Sequence, residues 1–265
     1  VMALCLLLAG LCPALAEEKT YSIGICQLAP HPALDAATKG FRDFLTEKLG
    51  DKVVFNEKNA AGEAATCMQI MNTFVADNVD LIMANATGAL QAAQSATGDI
   101  PILGTAVTDY GVALDLTCVD GKTGVNISGT SDLAPLDQQA AMIKELFPEA
   151  KEVGLLYCSS EANSAYQIEV MTQELTKLGF RCTEFAFSDS SDVTSMTSTA
   201  CQNSDVIYVP TDNVVATCAE AIRNVAEVDR VPIIAGEEGA CAGCGVATLS
   251  ISYYELGRIT GEMAF

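Results

Sequence analysis

Short apolar runs alternate with longer segments of helical spacing along this chain. The runs are Tyr21–Cys26, Val53–Asn56, Val79–Ala84, Ile100–Thr105 and Val125–Gly129, followed by Glu152–Tyr157, Arg181–Phe187, Asp205–Val209, Val231–Ala235 and Val246–Ile251. Most are rich in Val, Ile and Leu with little polar alternation, which suits strands covered on both faces, as in a parallel sheet. Between them, Leu34–Leu49 places Ala37, Phe41, Phe44, Leu45 and Leu49 on one stripe. Ala64–Val75 does the same with Met68, Met71 and Val75, and Pro135–Phe147 with Ala140, Ile143 and Phe147. Strand–helix alternation of this kind predicts an α/β, doubly wound parallel-sheet architecture with helices on both faces.

The pattern also repeats. Tyr21-Ser-Ile-Gly-Ile-Cys matches Glu152-Val-Gly-Leu-Leu-Tyr, and Ile100-Pro-Ile-Leu-Gly matches Val231-Pro-Ile-Ile-Ala. Both matches are offset by 131 positions, and Val79-Asp-Leu-Ile-Met-Ala matches Ser204-Asp-Val-Ile-Tyr-Val at an offset of 125. Constant order and near-constant spacing predict two similar open-sheet lobes joined by a hinge. Ligands of open α/β sheets bind beyond the carboxyl ends of the strands, so two facing lobes define one shared cleft.

The first residues carry a different signal. Leu4–Leu15 is apolar but too short to span a bilayer, and it ends in Ala14-Leu15-Ala16 before Glu17-Glu18-Lys19. This predicts a signal peptide over residues 1–16, cleaved after Ala16, and an exported, periplasmic or extracytoplasmic protein. Leu11 before Cys12 fits lipid attachment badly, so no lipid anchor at Cys12 is expected. No basic n-region precedes the run, so the true start is expected upstream of Val1.

The net charge of −20 argues against nucleic acid as a partner and is read as solubility outside the cytoplasm. Of eleven cysteines, Cys5 and Cys12 lie in the leader. Cys26 and Cys158 sit in or beside apolar runs, where a buried free thiol is the common case. Cys241-Ala-Gly-Cys244 has redox or metal spacing, but one such pair without a nearby His is a weak metal signal, and neither metal nor cofactor is expected. His31 is the sole histidine and is followed by Pro32, which leaves little for a Ser-His-Asp or Cys-His arrangement. There is no Gly-x-Ser-x-Gly elbow and no Gly-rich phosphate loop, so the chain does not read as an enzyme.

Polar residues follow the strands, as a cleft requires. They include Gln27 and His31 after the first run, Asn85 and Thr87 after the third, Thr105 and Thr108 after the fourth, and Ser131 and Asp132 after the fifth. In the second half they include Asn163 and Ser164, Asp212 and Asn213, and Glu237. Each is also an ordinary helix cap. As a set, helix N-termini suit a ligand carboxylate, and Asp212 is either a partner for an ammonium group or an N-cap. Such a site would suit an α-amino acid. Leu28, Val107 and Tyr110 are candidate apolar walls, although Leu and Val after strands are usually core.

The runs Ala61-Gly-Glu, Gly129-Thr-Ser-Asp, Leu156-Tyr-Cys-Ser-Ser-Glu-Ala-Asn-Ser, Tyr208-Val-Pro-Thr-Asp-Asn and Tyr253-Tyr-Glu-Leu-Gly-Arg-Ile-Thr-Gly-Glu-Met-Ala resemble one family. It is the ABC-transporter substrate-binding family that includes tryptophan- and other aromatic-amino-acid-binding lipoproteins. The resemblance implies a type I periplasmic-binding fold with a three-segment hinge. One lobe would comprise residues 20–133 plus 250–265, and the other residues 134–249. It implies ligand contacts from Asn85, Thr87, Ser131, Asn163, Ser164, Asp212 and Asn213, with Gln27, Thr105 and Glu237 as further candidates. It also implies a monomer that captures a small organic solute and delivers it to an ABC permease with its ATPase subunits. The alternative function on the same fold is the ligand-sensing ectodomain of a receptor. Ser250-Ile-Ser252 departs from the Gly-x-Asp that often precedes the paired tyrosines, and a continuing helix and final crossing are expected beyond Phe265.

Overall fold

The structure, a computed structural model, describes residues 19–265. The expected signal peptide and its two cysteines lie outside the described residues. In the first half the chain runs β1 (Tyr21–Gln27), α1 (Pro32–Leu49), β2 (Val53–Asn59), α2 (Ala64–Ala76), β3 (Leu81–Asn85), α3 (Thr87–Ala96), β4 (Ile102–Val107), the short α4 (Tyr110–Leu114) and β5 (Ile127–Ser131). The second half runs α5 (Leu136–Leu146), β6 (Glu152–Cys158), α6 (Ala162–Lys177), β7 (Arg181–Phe187), α7 (Val193–Gln202), β8 (Val206–Val209), α8 (Asn213–Asp229), β9 (Ile233–Ala235), α9 (Glu238–Cys244), β10 (Ala247–Thr248) and α10 (Tyr253–Ala264).

The strands form two five-stranded parallel sheets, ordered β2-β1-β3-β4-β5 and β7-β6-β8-β9-β10. The duplication read from spacing is therefore a duplication of topology. A repeated carboxylate pins the start of each half: Asp80 Oδ2 accepts from Ser22 N at 2.9 Å, and Asp205 Oδ2 accepts from Glu152 N at 3.0 Å. Central strands β4 and β8 are buried along their whole length, whereas edge strand β7 mixes exposed and buried positions. Apolar clusters cover both faces of each sheet, with Phe74 and Leu90 on one side of the first and Phe41 and Leu45 on the other.

Two segments connect the sheets, residues 132–135 between β5 and α5 and residues 249–252 between β10 and α10. After the second connection, α10 lies against α1 at backbone contact distance. Side chains at Gly40 and Gly257 would collide with the carbonyl oxygens of Tyr254 and Ala37 respectively. The hydroxyls of Thr105, Thr130 and Thr260 form a buried triad that ties α10 to β4 and β5, with contacts of 2.8 to 3.4 Å.

Several strand bounds shift: Val79–Ala84 becomes β3, Ile100–Thr105 becomes β4 and Val231–Ala235 becomes β9, each starting two residues later. The run Val125–Gly129 becomes β5 two residues later, because Val125 is exposed in a turn where Thr123 Oγ1 caps the Ile127 carbonyl at 2.6 Å. Val246–Ile251 yields only the two-residue β10. Its continuation leaves the sheet for the crossing, where the buried Gln139 donates to Leu249 O at 2.8 Å.

Candidate ligand-binding cleft

All strands of each sheet run parallel, so their carboxyl ends lie along one edge, and these two edges face each other. Between them the lobes leave a tight crevice with a cavity volume of about 10 Å³, room for little more than one water molecule. From the first lobe it is lined by His31 and Leu34 at the start of α1, by Ala106 within the register irregularity of β4 and Thr108 after it, and by Asp132. From the second come Asn163, Thr211, Asp212, Asn213 and Glu237, and Tyr253 stands at the start of α10. The lobes are in direct contact: His31 Nε2 lies 3.1 Å from Asn213 Oδ1, and Gln167 Nε2 lies 3.5 Å from Thr108 Oγ1.

Of the ten residues expected as ligand contacts, four reach this wall: Asn163, Asp212, Asn213 and Glu237. Asn163 donates to Glu161 Oε2 at 3.1 Å and to Thr211 O at 3.1 Å. Asn213 donates through Nδ2 to Glu161 Oε2 at 2.8 Å, which turns its carbonyl toward His31. Asp212 N-caps α8, accepting from Val215 N at 2.9 Å, and its other oxygen accepts from Cys158 N at 2.7 Å. Glu237 N-caps α9 through Gly239 N and Ala240 N. Ser164 is buried one layer behind and bonds to Asn163 and Asp212.

The structure does not bring the remaining five to the wall. Gln27 is held inside the first lobe, donating to Ala29 O at 2.8 Å and Asp35 Oδ1 at 2.7 Å while accepting from Thr38 at 2.7 Å. Asn85 is fully buried and donates to Leu34 O and Thr38 Oγ1, both at 2.9 Å. Thr87 is buried in the first turn of α3, and Thr105 belongs to the hydroxyl triad. Ser131 is exposed, and its hydroxyl donates to Thr108 O at 2.8 Å. The suggested apolar walls are not cleft residues either. Leu28 and Val107 are core, and Tyr110 donates to Gly104 O and Thr130 O.

The sequence marks Ser131 and Asp132 together after the fifth run, and the resemblance carries only Ser131 into the set of ligand contacts. Along β5 and beyond, Thr130 and Asp132 are buried while Ser131 is exposed. The period-two alternation of a strand puts Asp132 inward and Ser131 outward, and that signal was available. Thr108, marked in the sequence only as a polar residue after the fourth run, follows a register irregularity in β4, where Ala106 adopts φ 53°. Glu161 is recognisable only in three dimensions, since it gathers Asn163, Asn213 and Val214 N–H groups from two helices.

The cavity is acidic. Among the described residues no lysine or arginine lines it, and His31 is its one basic side chain. Burial pushes the Asp212 carboxyl up to about 7, with the nearby Glu161 charge adding to the shift. Burial also raises Asp132 and Glu237, against the hydrogen bonds that favour their charged forms. The N–H groups opening α8 and α9 are already taken by Glu161, Asp212 and Glu237. The expectation of free helix N-termini thus holds for neither helix. It fits α1 better, whose start carries no side-chain cap.

Cys241 and Cys244 lie on α9, and the described residues contain no group of three or more His, Cys, Asp or Glu side chains that could hold a metal ion. The nine described cysteines are free thiols. No described helix is long and apolar enough to cross a membrane.

Comparison with known proteins places this arrangement. The tyrosine-binding protein of Clostridioides difficile (strain R20291) is 40% identical over 251 residues, covering 94% of this chain and 72% of that protein. The crystal structure of an ABC domain from Streptococcus pneumoniae in complex with L-Trp is 32% identical, with a TM-score of 0.90 over 93% of this chain and 84% of that one. The ligand-free, open structure of a substrate-binding protein with adhesive properties from Clostridium difficile is 39% identical, with a TM-score of 0.68 over 92% and 84% of the two chains. The model of the ABC transporter substrate binding protein family matches residues 22–265. With its paired parallel sheets in the type I periplasmic-binding arrangement, this chain belongs to the ABC transporter substrate binding protein family.

Proposed function

We propose that this protein is the extracytoplasmic solute-binding component of an ABC importer, capturing an amino acid, in particular an aromatic one, between its lobes for delivery to a membrane permease. The observation that carries the reading is the acid-lined crevice between the lobes with its bare start of α1. A cationic ammonium suits the carboxylates, and a ligand carboxylate suits an uncapped helix N-terminus. A relative named for tyrosine binding and a neighbour holding L-Trp support the aromatic class.

The mechanism needs motion and no covalent chemistry. Residues 20–133 with 250–265 act as one body and residues 134–249 as the other, turning about the connections at 132–135 and 249–252. Solute makes contacts with both bodies only when they close, so binding shifts the population toward closure. The geometry described here matches a ligand-bound neighbour at TM-score 0.90 but an open, more identical neighbour at 0.68, which supports closure as the difference. Asn163, Asp212, Asn213 and Glu237 form the ligand wall of the second lobe with Ser164 behind them, while Gln27, Asn85, Thr87, Thr105 and Ser131 serve as scaffold within the first lobe.

Calorimetry and thermal shift with a full panel of amino acids test the proposal. Tyrosine or tryptophan should release heat and raise the melting temperature in proportion to the logarithm of ligand concentration. Silence across the whole panel would remove the amino-acid assignment.

A further inference from the structure

Three carboxylates face the cleft, and they differ in what their oxygens are already doing. Both oxygens of Asp212 accept backbone N–H groups, from Val215 at 2.9 Å and from Cys158 at 2.7 Å. Both oxygens of Glu237 likewise accept from Gly239 and Ala240. Asp132 is different. Its Oδ2 accepts the Tyr253 hydroxyl at 2.9 Å, but its buried Oδ1 has no hydrogen-bond donor among the described residues. The Thr108 side chain also hydrogen-bonds the carboxylate and favours its charged form, yet Oδ1 is left without a partner. Asp132 itself is only 3% exposed, so water does not readily supply the missing donor.

A second atom in the same cavity points to the same ligand chemistry. Glu161 Oε2 takes the Asn213 amide N–H, so the Asn213 carbonyl faces His31 Nε2 at 3.1 Å. That carbonyl needs a donor, so Nε2 carries a proton. His31 Nδ1 is also buried with no partner among the described residues, and in the tautomer whose one proton sits on Nε2 it is an acceptor. In that tautomer both unfilled polar atoms on the wall ask for hydrogen-bond donors. Buried acceptors left unmatched cost free energy, and a ligand rich in N–H removes that cost.

We propose that Asp132 is the residue that takes the ligand's ammonium group, and that Tyr253 is a positioning residue which fixes the Asp132 carboxylate by holding Oδ2. This rests on the amino-acid reading of the cleft and assigns the ammonium to Asp132 in place of Asp212. Asp132 lies on one connection between the lobes, and Tyr253 opens the helix that follows the other. The cationic end of the solute is thereby seated at the hinge, where one ion pair touches both crossing segments.

The test pairs each ligand with its des-amino analogue: L-tyrosine with 3-(4-hydroxyphenyl)propionate, and L-tryptophan with indole-3-propionate. Dissociation constants are measured by calorimetry for the wild-type chain and for Asp132→Asn, Asp132→Glu, Asp212→Asn and Tyr253→Phe. The wild type should prefer the amino acid by about 100-fold or more, the range of a truncated buried charge pair. Asp132→Asn should reduce that preference to within tenfold while changing des-amino binding little. Asp132→Glu, which keeps the charge but moves it, should show a partial loss and serves if Asn does not fold. Tyr253→Phe should lower the preference ratio by roughly tenfold, which loss of packing alone would not do. Asp212→Asn should leave the ratio within threefold. If the wild type binds the amino acid and both Asp132 variants keep its full preference for the amine, the assignment to Asp132 is overturned and the amino-acid reading stands. If the wild type binds no amino acid at all, that reading and the assignment fall together.

Discussion

His31 and Asn213 stand 182 positions apart in the chain, yet their side chains meet at 3.1 Å and close the cleft from opposite lobes. The contact is backed by Glu161, which orients the Asn213 amide from behind. It joins the two lobes, so it favours the conformation in which they meet and, in the proposed mechanism, contributes to affinity.

The first prediction concerns that latch. A net hydrogen bond of about 1 kcal/mol corresponds to roughly fivefold in affinity. His31→Ala and Asn213→Ala should each weaken tyrosine or tryptophan binding by at least that factor. The double variant should be no weaker than the worse single variant by more than about twofold, because the shared contact is lost only once. Fully additive losses in a calorimetric double-mutant cycle would show that the two residues do not act together.

Asp212 sets a pH dependence of stability. Its folded-state carboxyl is pushed up to about 7 by burial and by Glu161, while an unfolded aspartate titrates near 4. Between those values the native state holds a proton that the unfolded chain has released. The unliganded protein should therefore lose stability as pH rises from about 4 to about 7, by an amount on the order of a few kcal/mol. Asp132 and Glu237 are raised in the same direction and add to the slope. Urea unfolding at pH 5 and pH 8 measures it. Asp212→Asn, which preserves an N-cap acceptor, should flatten the slope; an unchanged slope would assign the effect elsewhere.

Thr105 separates scaffolding from ligand contact. Its hydroxyl is bonded to Thr130 and Thr260 inside the first lobe. Thr105→Val should cost about 1–2 kcal/mol of stability by stranding those hydroxyls, and should leave ligand affinity within twofold. A tenfold loss of affinity with intact stability would return Thr105 to the ligand wall.

The α1–α10 contact is the most sensitive packing site. At Gly257 the obstacle to a side chain is the backbone carbonyl of Ala37, which has no rotamer to escape through. Gly257→Ala should therefore lower stability by about 1–3 kcal/mol, read from the shift in the urea midpoint. Because α10 begins at Tyr253, the same change should weaken ligand binding by loosening the Tyr253–Asp132 bond. Unaltered affinity beside a lowered midpoint would mean that the start of α10 is held independently of its packing.

The fold was legible because its causes are local. Unbroken Val, Ile and Leu runs such as Ile102–Val107 have to be covered on both faces, and helical stripes such as Ala37, Phe41 and Leu45 supply the cover. The same order at an offset of 131 residues made two lobes and one cleft the natural reading, and polar residues after strands marked Asn163, Asp212, Asn213 and Glu237. Local pattern could not say which polar side chains would be used up within a lobe. Gln27 and Asn85 carry the same sequence signature as Asn163, but α1 folds back over them and engages their amides.

The sequence by itself determined the alternation, the duplication and the polar rim. Tertiary structure alone decided which acceptors on that rim keep a lone pair to offer. Asp212 is filled by Cys158 from a strand 54 positions away, while Asp132 receives one donor from Tyr253, 121 positions away, and retains one open oxygen. A hydrogen bond saturates one atom of one side chain, so whether a carboxylate is structural or available depends on a neighbour that only folding delivers.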